Sequence, residues 1–197
     1  MRGINWTESS IHANLSAEFH TGLWHGGAHL SDRLLVAFQD KHAYVKPVGR
    51  ATFKVAPSLK RFCVSVISQG CRDIIFDMTE CATLDSTFMG VLAGVAMWPV
   101  QDGQKVSVTL TGLGKRTRSM LSTLGLERVL ILSETGCLDV DEDDPAVTEI
   151  DQDVDQSEAL ETMRTAHQNL VRVDQDNAAR FCDVLTYLDQ EIKRLDA

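Results

Sequence analysis

The fold is decided by the stretch Asp73 to Pro99, which reads DIIFDMTECATLDSTFMGVLAGVAMWP. Ile74, Ile75 and Phe76 form a short apolar run of the kind found in a strand that is buried on both faces. No residue from Phe88 to Trp98 is charged, and Pro99 ends the run well short of the roughly 20 residues that a membrane span needs. The stretch therefore predicts a strand, a loop and a buried helix.

The loop meets the helix at Asp85-Ser86-Thr87. Asp85 suits the N-cap position, because its carboxylate can accept a backbone N–H two or three residues further on. Ser86 and Thr87 then lie in the first helical turn, where we expect their hydroxyls to be partly exposed. Gly90 and Gly94 are four residues apart on one helix face, and we expect them to let the helix lie close on its sheet.

Strand and helix patterns continue on both sides of this unit. Two strands, 34–38 and 43–48, are joined through Asp40-Lys41-His42 as a hairpin, and Pro47 indicates a free edge or a bulge. A helix follows within 52–69, starting near Pro57 and ending at Gly70, with its inward side formed by Leu59, Phe62, Cys63, Val66 and Ile67.

Further along the chain, a strand at 106–110 precedes a helix at 115–124, which Gly125-Leu126 ends before a strand at 129–132. Met120, Leu121 and Leu124 should face inward. Strand–helix units repeated in this way predict an α/β fold, with a mixed, mostly parallel sheet of four to five strands and helices packed on it.

The ends of the chain differ from this central part. Residues 1–31 show no clear period and predict an irregular arm, and the acidic run 139–144 followed by Pro145 predicts a solvated linker over 134–156. Within 157–197, two apolar stripes at helical spacing predict a helical extension, which we expect to be a two-helix hairpin. His167 lies on the first stripe beside Leu170, where a packed, hydrogen-bonded histidine is expected.

Charge and cysteine content restrict the class of protein. The tail from residue 138 holds 17 acidic against 5 basic residues, so nucleic acid and anionic membranes are poor partners. The five cysteines are odd in number and scattered, which is typical of reduced thiols in a cytoplasmic protein. A metal site is not expected at the four N-terminal histidines, His12, His20, His25 and His29. Gly26-Gly27 breaks the helical spacing, and no cysteine or carboxylate completes a ligand set.

Leu84-Asp85-Ser86-Thr87 with Gly90, between a buried strand and an apolar helix, resembles the signature of the STAS domain, the module of anti-sigma-factor antagonists and sulfate transporter tails. The resemblance covers about 34–133. It implies that Ser86 is a phosphoacceptor, since the serine after the aspartate is the phosphorylation site in that family. It also implies a partner surface at Asp85, Ser86, Thr87, Phe88 and Met89 that binds an anti-sigma factor with serine kinase activity.

Other functions remain open at this point. Asp85-Ser86-Thr87 is also what ordinary helix capping requires. STAS proteins that act as cytoplasmic subunits of ABC-type lipid transport systems, or as other scaffolds, offer an alternative function. An enzyme is not expected, because the sequence shows no paired acids, no nucleophile with its base, and no G-x-S-x-G elbow. Gly112-Leu113-Gly114-Lys115 lacks the spacing of a phosphate-binding loop, and no cofactor is expected.

Overall fold

The computed structural model describes residues 32–99, 105–134, 146–150 and 153–195. The predicted N-terminal arm with its four histidines, Cys137 and the acidic run 139–144 lie outside the described residues. Within them, the strands are β1 (Arg33–Gln39), β2 (His42–Ala51), β3 (Asp73–Asp77), β4 (Cys81–Leu84), β5 (Ser107–Thr111), β6 (Ile131–Leu132) and β7 (Thr148–Glu149). The helices are α1 (Ala56–Ser68), α2 (Ser86–Ala96), α3 (Lys115–Thr123), α4 (Gln156–Val173) and α5 (Asn177–Leu195).

The strands form one mixed sheet in the order β6-β5-β3-β2-β1-β7, and β4 pairs with the far end of β2. β2, β3, β5 and β6 run parallel to their neighbours in this series, and β1 is antiparallel to both β2 and β7. The predicted α/β class, with a mostly parallel sheet and a C-terminal helical extension, is confirmed. The sheet also contains β4 and β7, which are too short to give a clear period in the sequence.

The hairpin that begins the sheet has the predicted turn. Asp40 and Lys41 both have positive φ, at 49° and 66°, as a two-residue turn between twisted strands requires. β2 then pairs with β3 over His42–Val45 and with β4 from Gly49 onward, so Pro47 lies between the two pairings. The pairing of β2 with β4 shifts register at Gly49/Arg50, beyond the proline at which the sequence predicts a free edge or a bulge.

The helices lie close to the predicted positions. In α1, Pro57 occupies the first turn and the five predicted inward residues are buried. In α3, Leu121 and Leu124 are buried and Met120 packs against the core from a partly buried position. The predicted strand at 129–132 is shorter than expected, because Leu126–Arg128 forms a 3-10 helix after Gly125, whose φ is 72°. Among the described residues, no helix is long and apolar enough to cross a membrane.

α4 and α5 pack on each other, and we call them the C-terminal helix pair. Arg61 on α1 binds Glu158 near the start of α4, with 3.5 Å between the charged atoms. At the other end, Arg128 binds Asp174 at 2.9 Å, and the buried Asn177 amide donates to the carbonyl oxygens of Leu124 and Leu170. These contacts hold α4 along α2, which is its most extensive neighbour.

Candidate functional site

The candidate site is built on the N-terminal turn of α2. Asp85 is the N-cap in extended conformation, and its Oδ1 accepts the backbone N–H of Phe88 at 2.8 Å, as predicted. Its Oδ2 accepts the backbone N–H of Phe53 at 2.6 Å, which ties the site to the loop before α1. The backbone N–H of Asp85 donates to Ala51 at the end of β2. Both carboxylate oxygens are therefore engaged in positioning the turn.

The structure places the five predicted partner-surface residues in two environments. Asp85 and Ser86 are partly exposed, whereas Phe88 and Met89 are buried, with Phe88 fully enclosed in the core. Thr87 is 4% exposed. The expectation that its hydroxyl would be partly exposed is wrong, because the second position of the helix already faces the interior. Ser86 is the hydroxyl-bearing residue of this turn that is only partly buried.

The helix face that carries Gly90 and Gly94 contacts α4. A Cβ added at Gly90 would lie 2.2 Å from the carbonyl oxygen of Ala166, and one added at Gly94 would lie 2.3 Å from Nδ2 of Asn169. The expectation that these glycines let α2 approach its sheet is therefore wrong. They allow the backbones of two helices to come close, and the Asn169 amide then donates to the Gly90 carbonyl at 3.2 Å.

Ser86 is joined to α4 by a hydrogen bond between its Oγ and Nε2 of His167, 3.0 Å away. Nδ1 of the same ring lies 2.8 Å from the carbonyl oxygen of Met163. Because a carbonyl oxygen can only accept, Nδ1 carries the proton, and in the neutral ring Nε2 is the acceptor. The Ser86 hydroxyl therefore donates its proton to His167.

The environment of His167 favours this neutral form. Burial lowers the pKa of the imidazole, although the hydrogen bond to Met163 and the negative charge of Asp85 oppose the shift. The ring packs against Phe181 of α5, with 4.9 Å between the ring centroids. The predicted packed, hydrogen-bonded histidine is confirmed, and its partner is the candidate phosphoacceptor.

A serine that donates to a neutral histidine resembles the nucleophile and base of an acyl-transfer enzyme. In such sites a third group, usually a carboxylate, orients the histidine. Here the orienting group is the Met163 carbonyl, and the carboxylate of Asp85, whose charge acts on His167, is engaged with two backbone N–H groups. Within the described residues, no group of three or more His, Cys, Asp or Glu side chains is placed to hold a metal ion.

Sequence reasoning missed the contribution of α4 to this site. Asn169 and His167 are polar residues on a helix face that also carries Ala166 and Leu170, all four of them buried. Buried polar side chains are normally hydrogen-bonded, so two of them on an apolar stripe indicate partners elsewhere in the fold. The sequence does not say which helix holds those partners.

A model of the STAS domain family matches residues 33–142. An anti-sigma factor antagonist from Mycobacterium paratuberculosis is structurally similar with 22% identity and a TM-score of 0.46, over 55% of this chain and 90% of that one. The anti-sigma factor antagonist SpoIIAA in its unphosphorylated form shows 13% identity and a TM-score of 0.41, over 53% and 89% of the two chains. No curated protein sequence matches this chain.

The family match covers the sheet from β1 to β6, helices α1 to α3, and the turn that carries Ser86, which is more than half of the chain. The described part of the C-terminal helix pair lies beyond it. The chain therefore belongs to the STAS domain family.

Proposed function

We propose that this protein is a cytoplasmic, phosphorylation-controlled binding module that acts as an anti-sigma-factor antagonist. The observation that carries the proposal is the position of Ser86, a partly exposed hydroxyl in the first turn of α2, directly after the capping Asp85 of a STAS domain. Unmodified, the protein binds an anti-sigma factor that is also a serine kinase. Phosphorylation of Ser86 by that kinase ends the complex.

The physical basis is the charge that phosphate adds at this turn. Backbone N–H groups and the helix dipole favour an anion at a helix N-terminus, so α2 should remain folded when Ser86 is modified. The added charge of about −1.5 to −2 lies beside Asp85 and repels an acidic or apolar partner surface. Glu80, at the opposite end of β4, is paired with Lys46, so the repulsion comes from the phosphate and Asp85. The modification is therefore expected to act on the partner contact.

A pull-down from native extract with the full chain as bait tests the identity of the partner. Recovery of an anti-sigma factor with an ATPase-type kinase fold supports the proposal. Recovery of ABC transporter subunits instead supports the alternative, a subunit of a lipid transport system, and contradicts the antagonist function. Ser86→Asp bait provides the matched control, because it should lose the anti-sigma factor while it keeps proteins that bind elsewhere on the chain.

Substitutions at the turn test the switch itself. Ser86→Asp should weaken the complex with the purified anti-sigma factor, Ser86→Ala should bind but accept no phosphate, and Thr87→Ala should have the smallest effect on phosphate incorporation. Titration calorimetry and mass spectrometry of the phosphorylated chain measure these outcomes. Phosphate on Thr87 alone, or equal affinity of Ser86→Asp and the unmodified protein, would contradict the proposal.

A further inference from the structure

The C-terminal helix pair lies on the side of α2 that carries Ser86. The α2–α4 interface includes Ser86, Gly90 and Gly94 on α2 and Ala166, His167 and Asn169 on α4. Ser86, Gly90 and Gly94 all contact the short segment 166–169 of α4, so α4 crosses the face of α2 that begins at its first turn. Any protein that docks against this face of α2 has to occupy the position of α4.

The bond between Ser86 and His167 also limits access to the hydroxyl. The proton that a kinase must remove is directed at Nε2 of His167, 3.0 Å from Oγ. His167 is 5% exposed and is held by Met163 and Phe181, so its ring cannot turn aside while α4 stays in place. Transfer of a phosphoryl group to Oγ therefore requires the bond to His167 to break, at a turn against which α4 is packed.

The α2–α4 interface combines polar and apolar contacts. Permanent interfaces resemble a hydrophobic core, whereas separable ones are more polar. Ala166 and Leu170 of α4 belong to the hydrophobic core, whereas Ser86, His167 and Asn169 supply side-chain hydrogen bonds that a fully apolar contact would lack. Thr162 lies on the same face of α4, one turn before Ala166, and its buried Oγ1 has no hydrogen-bond partner among the described residues. A buried hydroxyl without a partner destabilises the closed arrangement.

We propose that the C-terminal helix pair is an intramolecular competitor: α4 occupies the partner-binding face of α2 and masks Ser86, and the anti-sigma factor binds only after α4 has moved away. The proposal rests on the proposed function for the identity of the partner. The masking of Ser86 does not depend on it. The apparent affinity for the partner is then the intrinsic affinity multiplied by the fraction of molecules in which α4 is displaced.

The masking is tested without any partner, by the rate at which a maleimide labels the full chain carrying Ser86→Cys. Cys81, Cys137 and Cys182 are replaced by serine in this background, and Cys63 and Cys71 are buried. Ala166→Glu places a charge in the α2–α4 interface and should raise the labelling rate by about tenfold or more, because labelling follows the population of the open form. Ala178→Glu makes the same change at an exposed position of α5 and should leave the rate unchanged.

His167→Ala is a second opening variant, in case Ala166→Glu reduces the helical signal in circular dichroism. It removes the ring nitrogen that faces position 86 and the ring contact with Phe181, and it should raise the labelling rate less than Ala166→Glu does. Labelling that is equally fast in the parent and in both opening variants would show that Ser86 is not masked, and would overturn the proposal.

The competition is tested with the purified anti-sigma factor from the pull-down. Gly94→Cys combined with Asn169→Cys allows a disulfide, since Cγ of Asn169, where a cysteine would carry its sulfur, lies 3.2 Å from a Cβ added at Gly94. The oxidised chain should bind about tenfold or more weakly than the same chain after reduction, and Ala166→Glu should bind more tightly than Ala178→Glu.

Equal affinity of the oxidised and reduced chains would overturn the competition. If the pull-down recovers no anti-sigma factor, the proposed function fails, and the labelling rates alone decide whether the C-terminal helix pair masks Ser86.

Discussion

The two faces of α2 make contacts of different kinds. One face carries Phe88, Leu92 and Val95, which pack in the core. Phe88 and Leu92 have no exposed surface. The opposite face carries Ser86, Gly90 and Gly94, and it meets α4 through backbone proximity and polar side chains. The first contact gains its free energy from apolar burial, which is lost only when the domain unfolds. The second is the contact that, in our proposal, is exchanged for contacts with the partner.

The largest effect is expected on the core face. Leu92→Ala removes a fully buried side chain and should lower the free energy of unfolding by about 2–5 kcal/mol. Urea denaturation followed by circular dichroism measures the loss. Tyr187→Ala on α5, where the ring is 58% exposed, is the control and should lose far less. Equal losses in the two variants would mean that α2 is not part of a common core.

A smaller and more local effect is expected on the opposite face. Gly90→Ala places a methyl group against the backbone of Ala166, and overpacking of this kind costs about 1–3 kcal/mol. Better helix propensity of alanine offsets about 0.5–1 kcal/mol of it. Hydrogen exchange should become faster in α4 and α5 and stay unchanged in β3 and β5.

Gly94→Ala is the matched variant for this comparison. Its methyl group meets the end of the Asn169 side chain, which can turn away more easily than a backbone can. It should therefore accelerate exchange in α4 less than Gly90→Ala does. Faster exchange across the whole sheet in either variant would contradict the distinction between the two faces.

The stability of the folded chain should depend on pH, because His167 in the α2–α4 interface is buried in its neutral form. Burial holds the pKa of the folded imidazole below its usual value of 6.5, so the folded chain binds fewer protons than the unfolded one. The stability that depends on neutral His167 is present above about pH 6.5 and is lost as the pH falls through the lowered pKa.

Thermal unfolding at pH 7.5 and at pH 5.5 measures this loss. The midpoint of the unmodified chain should fall more between the two values than that of His167→Gln, whose amide does not titrate. An identical fall in both chains would show that His167 does not contribute to the pH dependence.

The smallest effect is expected at the anchors of the C-terminal helix pair. Arg128→Ala removes an ion pair with Asp174 in which the arginine side chain is 62% exposed, and such pairs contribute about 0–1 kcal/mol. Arg116→Ala, at an exposed position on α3, is the control. Chemical denaturation should show a difference of less than about 1 kcal/mol between them. A larger loss of unfolding free energy would mean that the C-terminal helix pair is stabilised mainly by this ion pair and not by its contact with α2.

Local patterns predicted most of the fold. The apolar run before Asp77, the capping aspartate at Asp85 and the uncharged helix after it each act over a few residues, and the structure shows all three where expected. β7 could not be predicted in this way, because its two residues have no period and depend on β1 for their hydrogen bonds. Its neighbour Ile150 is buried in the core, although it lies within the segment 134–156 that the sequence predicts to be a solvated linker.

The sequence predicts the part of the candidate site on α2 but not the part on α4. Ser86 is identified by its neighbours in the chain, but its hydrogen-bond partner lies 81 residues away on α4. The role of Gly90 and Gly94 could not be predicted for the same reason. Their spacing indicates that another element packs closely against α2, but it does not identify that element as α4. Contacts between distant helices depend on how the helices pack, and a single sequence does not encode that packing locally.

Hydrogen exchange of the full chain, alone and in complex with the purified anti-sigma factor, tests the central claim most directly. If the partner takes the place of α4 on α2, amides within Gln156–Val173 should exchange faster in the complex than in the free chain. Amides in the first turns of α2 should exchange more slowly in the same sample, because the partner now covers them. An α4 that stays equally protected in the free chain and in the complex would contradict the account.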